Sequence, residues 1–156
     1  MTLQNNNILQ NSNKRLSVQL SLSGLSFLVT NIETKEIYFF LEKKYKKPIN
    51  PEELLVNLKS IFNENKELND AFNEVATIYA TSLYSLVPSN LFDASKTSEY
   101  LKFNSKILAT DFIAFDTLEN HNIITVYIPF ININNYLFDR FGDFSYYHSS
   151  SLLIEH

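Results

Sequence analysis

Apolar and polar residues alternate from the sixteenth position of the chain. Leu16, Val18, Leu20 and Leu22 fall on one face of an extended segment, and Ser17, Gln19 and Ser21 on the other. After Ser23-Gly24 the alternation resumes at Leu25, Phe27 and Val29. Two-residue hairpin turns need positive φ, which glycine adopts at no steric cost, so the pattern predicts a β-hairpin turning on Ser23-Gly24. A third strand, Glu36 to Leu41, follows the turn-like NIETK, and the three segments form an antiparallel meander.

The period then changes. Asn50 is placed to cap a helix, Pro51 suits its first position, and Glu53 stands three residues after the cap. Leu54, Leu55, Leu58, Ile61 and Phe62 share one helical face, and the Asn/Glu/Lys-rich run 63–70 ends the helix. VATIYA, 75–80, is apolar on both faces, which predicts a central strand covered on both sides.

Beyond it, LYSLVP (83–88) reads as a short strand stopped by Pro88. Asn90 to Asn104 reads as helical, with Leu91, Phe92, Tyr100 and Leu101 as candidate buried positions. DFIAFD (111–116) reads as a strand, LENHN as a turn, and IITVYIPF (123–130) as a β-branched and aromatic strand. A second helix is predicted over 132–141, with Ile133, Leu137 and Phe141 on one face and Gly142 as its stop. FSYYHS (144–149) is the last strand, and SSSLLIEH opens a helix with serines as caps. That helix breaks off within two turns, so the chain reads as a fragment or a shortened form whose Leu152, Leu153 and Ile154 need cover from the sheet or a second chain.

Composition narrows the function classes. The 156 residues are the size of one domain, and with 45% hydrophobic and 14% aromatic residues they can fill a core. The formal net charge of −4 gives no long-range attraction to nucleic acid or anionic lipid. There is no cysteine, which removes disulfides, thiolate metal sites and cysteine nucleophiles. No apolar run approaches the ~20 residues that span a bilayer. MTLQNNNILQNSNKR lacks a signal-peptide apolar region and reads as a frayed tail, 1–15. The expected location is the cytoplasm, with neither nucleic acid nor membrane as partner. The expected domain is 16–156, with an insert at about 81–121.

The order is three meandering strands, helix, strand, insert, helix, strand, helix. It resembles one half of the actin-like ATPase fold, an α/β domain with a mixed sheet and a ribonuclease H-like core. LSVQLSLSGLSFLV, LVPSNLFD, YLKFN, VYIPFININNYLFDRFG and FSYYHSSSLLIE resemble an uncharacterised family, mostly from Bacteroidetes, with that fold. These stretches cover most of the chain from residue 16 onward, and none is a catalytic motif. The resemblance implies that the chain corresponds to the N-terminal half of longer proteins. It implies fold more than function, because the family carries no established biochemical role.

Actin-like ATPases touch phosphates with the turn between their first two strands and hold the metal through a carboxylate at the end of the first, in an Asp-x-Gly-Ser/Thr pattern. The resemblance lays that loop on Ser21, Leu22, Ser23, Gly24 and Ser26. The carboxylate position holds Ser21, and the glycine is displaced by one residue. A hydroxyl cannot supply the anionic oxygen Mg²⁺ prefers, although a serine-rich turn can still offer N–H groups to an anion. Ser21, Ser23, Gly24 and Ser26 are therefore the candidate phosphate-loop residues of a structural hairpin, with no catalytic or metal residue assigned.

Other chemistry finds less support. Asp111, Asp116, Glu119, Asp139 and Asp143 would need a carboxylate on strand one to make a nuclease-type cluster, and strand one has none. They read as solvated edge and turn residues. His121, His148 and His156 lack the spacing of shared metal ligands, and His148 reads as a packed, hydrogen-bonded histidine. Ser149-Ser150-Ser151 lacks the glycines of a nucleophile elbow. KKYKK, 43–47, reads as edge protection after strand three. The expected function is a non-catalytic actin-like-fold module working through protein–protein contacts and without cofactor. Its partner is another protein, the C-terminal half of a longer chain, or a second copy. The alternative is ATP binding, with Mg²⁺, by a complete two-half protein.

Overall fold

The computed structural model describes residues 13–103, 107, 108 and 110–156. The meander forms as β1 (Lys14–Ser21), β2 (Gly24–Asn31) and β3 (Ile37–Lys44). β1 and β2 pair antiparallel from Lys14↔Asn31 to Ser21↔Gly24, so the loop is Leu22-Ser23 rather than Ser23-Gly24. Positive φ occurs among the described residues only at Asn13, Lys35, Asn122 and Gly142. Gly24 is required for a different reason: a Cβ there would lie 2.7 Å from the carbonyl oxygen of Lys43 on β3. The glycine serves close approach of two backbones, not turn geometry.

The helix α1 (Pro51–Glu64) begins with the predicted capping box. The Glu53 N–H donates to Asn50 Oδ1 at 2.8 Å and the Asn50 N–H donates to Glu53 Oε2 at 3.3 Å. β4 (Glu74–Tyr79) then enters the sheet parallel to β1. Its Thr77 and Tyr79 are fully buried, while Ala76 and Ile78 on the other face are half-buried, so cover is complete on one side only. α2 (Ile131–Phe141) ends where Gly142 takes φ 72°, and β8 (Ser145–His148) pairs parallel with β4. The main sheet has the order β3-β2-β1-β4-β8.

α1 and α2 cover one face of this sheet. Leu16, Val18, Leu20, Leu25, Phe27 and Val29 meet Leu54, Leu58, Ile61, Phe62, Ile133 and Leu137 in a single core. Phe62 sits among aromatic rings, 5.6 Å from Phe27 and 5.7 Å from Phe141 between centroids. Each such side chain removed from water contributes about 1.5–3 kcal/mol, so this layer dominates the stability of the main sheet.

Between β4 and α2 the chain builds a second sheet, β5-β7-β6, from β5 (Tyr84–Pro88), β6 (Ala114–Leu118) and β7 (Ile123–Tyr127). Val87, Ile124 and Val126 on one face pack with Leu101 and Ile128. The segment expected as a helix over 90–104 is instead two 3₁₀ turns, Ser89–Leu91 and Ala94–Tyr100, the second broken at Lys96. Leu101 is buried as predicted, but Leu91 is 67% exposed. Asn104 lies outside the described residues. β6 begins three residues later than expected from DFIAFD, which changes the environment of Asp116. α3 (Ser149–Glu155) follows β8 directly, and its cap is not a serine: the His148 ring accepts the Ser150 N–H.

Candidate functional site

The serine-rich hairpin lies at the carboxyl ends of the parallel strands β1 and β4, where open α/β sheets place their ligands. The Ala80 N–H donates to the Leu20 carbonyl at 2.8 Å and carries the β1–β4 ladder to the turn. Ser21, Ser23, Gly24 and Ser26 line one cleft of about 430 Å³ together with Lys43, Lys44 and Tyr45. The structure thus brings all four predicted phosphate-loop residues to one place and adds two lysines that the sequence assigned to edge protection.

The chemistry of the turn is largely used internally. The Ser21 hydroxyl accepts the Ser23 N–H at 3.1 Å and shares a hydrogen bond with the Ser23 hydroxyl at 2.8 Å, a local turn motif of serine. The Tyr45 and Ile49 N–H groups donate to the carbonyls of Ser23 and Leu22, both at 2.9 Å. Lys43 donates to Asn57 Oδ1 at 2.9 Å, and Lys44 lies 3.5 Å from Glu42. The Tyr45 hydroxyl is buried without a hydrogen-bond partner, and burial raises its pKa.

A second polar centre was missed by sequence. With β6 spanning Ala114–Leu118, Asp116 shares a face with buried Ala114 and Leu118. It is not a solvated edge residue. One carboxylate oxygen, Oδ2, accepts the His148 N–H at 2.7 Å and the Ser151 hydroxyl at 2.6 Å. The other, Oδ1, accepts the Tyr127 hydroxyl at 3.0 Å. Burial raises the Asp116 pKa, and these three bonds oppose the shift. Burial also raises the Tyr127 pKa, with the Asp116 charge adding to it, so its hydroxyl stays a donor.

His148 is 1% exposed. Its Nδ1 accepts the Ser150 N–H at 3.1 Å, which assigns the proton to Nε2, 2.9 Å from the Thr81 carbonyl. Burial lowers its pKa, and the ring is held neutral. Asp116, His148 and Ser151 are therefore neighbours without being a hydrolase triad: the serine bonds to the aspartate, and both ring nitrogens are engaged elsewhere. The centre ties β6 and β7 to β8 and α3. The remaining candidates stay apart. Asp111 accepts the Leu108 N–H at 2.7 Å, while Glu119, Asp139, Asp143, His121 and His156 are exposed. Among the described residues no three His, Asp or Glu side chains converge on a metal position, and no helix is long and apolar enough to cross a membrane.

The mixed sheet is that of an actin-like ATPase fold. The chain is similar to a Bacteroides thetaiotaomicron protein with that fold and unknown function, at 22% identity and a TM-score of 0.80, over 92% of this chain and 55% of that one. It therefore spans about half the length of that protein. The chain belongs to the DUF3822 family of proteins of unknown function, which matches residues 3–156. The cytoplasmic domain of EpsL, an inner membrane component of the type II secretion system of Vibrio cholerae, is more distant, at 15% identity over 86% of this chain and 53% of that domain, with a TM-score of 0.43. No curated protein matches the chain.

Proposed function

We propose that this chain is a non-catalytic, cytoplasmic module with a ribonuclease H-like core that works through protein–protein contacts. The observation that carries the reading is Ser21. The resemblance lays it on the position where the fold's ATPases keep a metal-binding carboxylate, and its hydroxyl is bonded back to Ser23 inside the turn. Asp116, a partly buried carboxylate on the second sheet, is bonded to three donors of its own chain. The strand order β3-β2-β1-β4-β8, with β4 parallel to β1, supports the ribonuclease H-like core.

Exposed apolar side chains supply contact surface. Ile37 and Phe40 on the edge strand β3 are each 63% exposed. On the second sheet Phe115 is half-exposed and its ring lies tilted 4.9 Å from that of Phe92, which in turn stacks on Tyr100. Contiguous aromatic surface of this kind marks interaction sites. The test has two arms. The chain with ATP and Mg²⁺ is expected to show no turnover, and a discrete complex with another protein is expected to weaken with Phe40→Ser or Phe115→Ser. ATP hydrolysis abolished by Ser21→Ala or Gly24→Ala would overturn the reading.

A second reading has its own observation. The cleft beside the hairpin combines Ser21, Ser23, Gly24 and Ser26 with Lys43, Lys44 and the unpartnered Tyr45 hydroxyl. Such a set favours a phosphate group held without metal, and it supports ATP binding by a two-half protein. Calorimetry with ATP and ADP, with and without Mg²⁺, separates the two: absence of heat at high ligand concentration removes this second reading.

A further inference from the structure

Asp116 carries a negative charge into a partly buried place, and all three of its hydrogen-bond donors are neutral: a phenol, a backbone N–H and a serine hydroxyl. No lysine or arginine forms an ion pair with it among the described residues. The neighbouring imidazole cannot compensate, since its two nitrogens are fixed by Ser150 and Thr81 in the neutral form. Buried carboxylates are ordinarily paired, because an isolated charge is expensive to desolvate.

Asp116 also opens onto a cavity of about 300 Å³ between β6, β8 and α3, whose walls include Phe115, Tyr146, Tyr147, Leu152 and Glu155. The cavity holds two carboxylates, three aromatic rings and no basic side chain. Phe115 at 44% and Tyr147 at 39% exposure leave it reachable from solvent. Aromatic faces attract cations, and a cation held between the carboxylates at the base and rim would supply the charge balance that Asp116 lacks among the described residues.

We propose that this cavity is a binding site for a cationic side chain, arginine or lysine, of a protein partner. The apolar stem lies along Leu152 and the aromatic rings, and the charged head reaches Asp116 and Glu155. The inference rests on the protein-contact reading above and gives it a location and a chemistry. At this cavity charge complementarity selects the occupant.

The test is an NMR titration of the chain with Nα-acetyl-arginine N-methylamide, using the citrulline analogue as a neutral control of the same shape. The arginine compound is expected to shift Tyr147, Leu152 and Glu155 signals saturably, with a Kd of roughly 1–10 mM for one isolated side chain. Glu155→Gln, on an exposed residue, is expected to weaken binding about threefold, and Asp116→Asn roughly tenfold. Equal binding of the citrulline compound, unsaturable shifts scattered over the surface, or unchanged affinity in Glu155→Gln would overturn the proposal. A protein partner whose affinity is unaffected by Glu155→Gln and Asp116→Asn would overturn it while leaving the protein-contact reading standing. Saturable arginine binding in a chain that forms no protein complex would overturn the protein-contact reading and, with it, the assignment of the cavity to a protein partner.

Discussion

Replacing Asp116 by alanine strips an acceptor from three groups at once. Tyr127 is fully buried, His148 is 1% exposed and Ser151 is 2% exposed, so none of the three meets bulk water freely. A hydrogen bond to a charged group contributes about 1.5–3 kcal/mol net, and an orphaned buried donor costs about 1–3 kcal/mol. Three such losses do not add in full, because the adjoining cavity of about 300 Å³ admits water to part of the set and the half-buried carboxylate is itself costly to desolvate. The expected loss is about 3–5 kcal/mol, against a total stability of roughly 5–15 kcal/mol for a domain. Asp116→Asn keeps an acceptor and is expected to lose only about 1–2 kcal/mol. Urea unfolding followed by circular dichroism measures both, and a thermal scan should show Asp116→Ala melting roughly 10 °C early. A loss below about 1 kcal/mol for Asp116→Ala would refute the idea that this carboxylate fastens the second sheet to β8 and α3.

Other changes test separate parts of the fold. Gly24→Ala should destabilise by about 1–3 kcal/mol, because the new Cβ meets the Lys43 carbonyl, a backbone atom that cannot swing aside. Equal denaturation midpoints for Gly24→Ala and the parent would show that β3 does not pass so close. Asn50→Ala removes half of a reciprocal cap and should cost α1 about 1 kcal/mol, read by the same urea titration. The His148 pKa is lowered on folding, so its contribution is full above the unfolded value of 6.5 and is lost as pH falls below it. Asp116, raised on folding, has the opposite sign: its contribution is present below the unfolded value of 3.8 and is lost as pH rises through the folded one. The stability of the parent chain should therefore fall faster than that of His148→Gln between about pH 7 and pH 5; parallel pH profiles would count against a buried neutral imidazole.

The parts of the fold that local pattern specifies are legible in the sequence. The alternation from Leu16 to Val29 fixed two strands and the inward face of each, because a one-residue slip would turn every leucine outward. Asn50, Pro51 and Glu53 marked the start of α1 through the hydrogen bonds they make. Where spacing was ambiguous the sequence misled. Leu91, Phe92, Tyr100 and Leu101 have helix-like intervals, yet successive 3₁₀ turns place them without an α-helical ladder. Gly24 looked like a turn residue, but its requirement comes from β3, which is distant in sequence.

The candidate sites divide in the same way. Ser21, Ser23, Gly24 and Ser26 came together because they lie on one hairpin, and Lys43 and Lys44 joined them because β3 pairs with β2 in register, Gly24↔Lys44 and Leu25↔Lys43. The Asp116 centre draws on β6, β7, β8 and α3, and no local pattern announces such a meeting. One signal was present: once β6 is shifted to Ala114–Leu118, an aspartate falls on an otherwise apolar face. That shift of three residues separated a solvated turn residue from the centre of a buried network.

Isothermal titration of the chain with ATP, in Mg²⁺ and again in EDTA, bears most directly on whether this hairpin keeps the architecture of a phosphate site without its metal chemistry. If Ser21 occupies the carboxylate's place, as proposed, the expected result is no Mg²⁺-dependent heat and no hydrolysis, whether or not a weak metal-independent phosphate contact is seen. Mg²⁺-dependent binding that disappears in Ser21→Ala would contradict it.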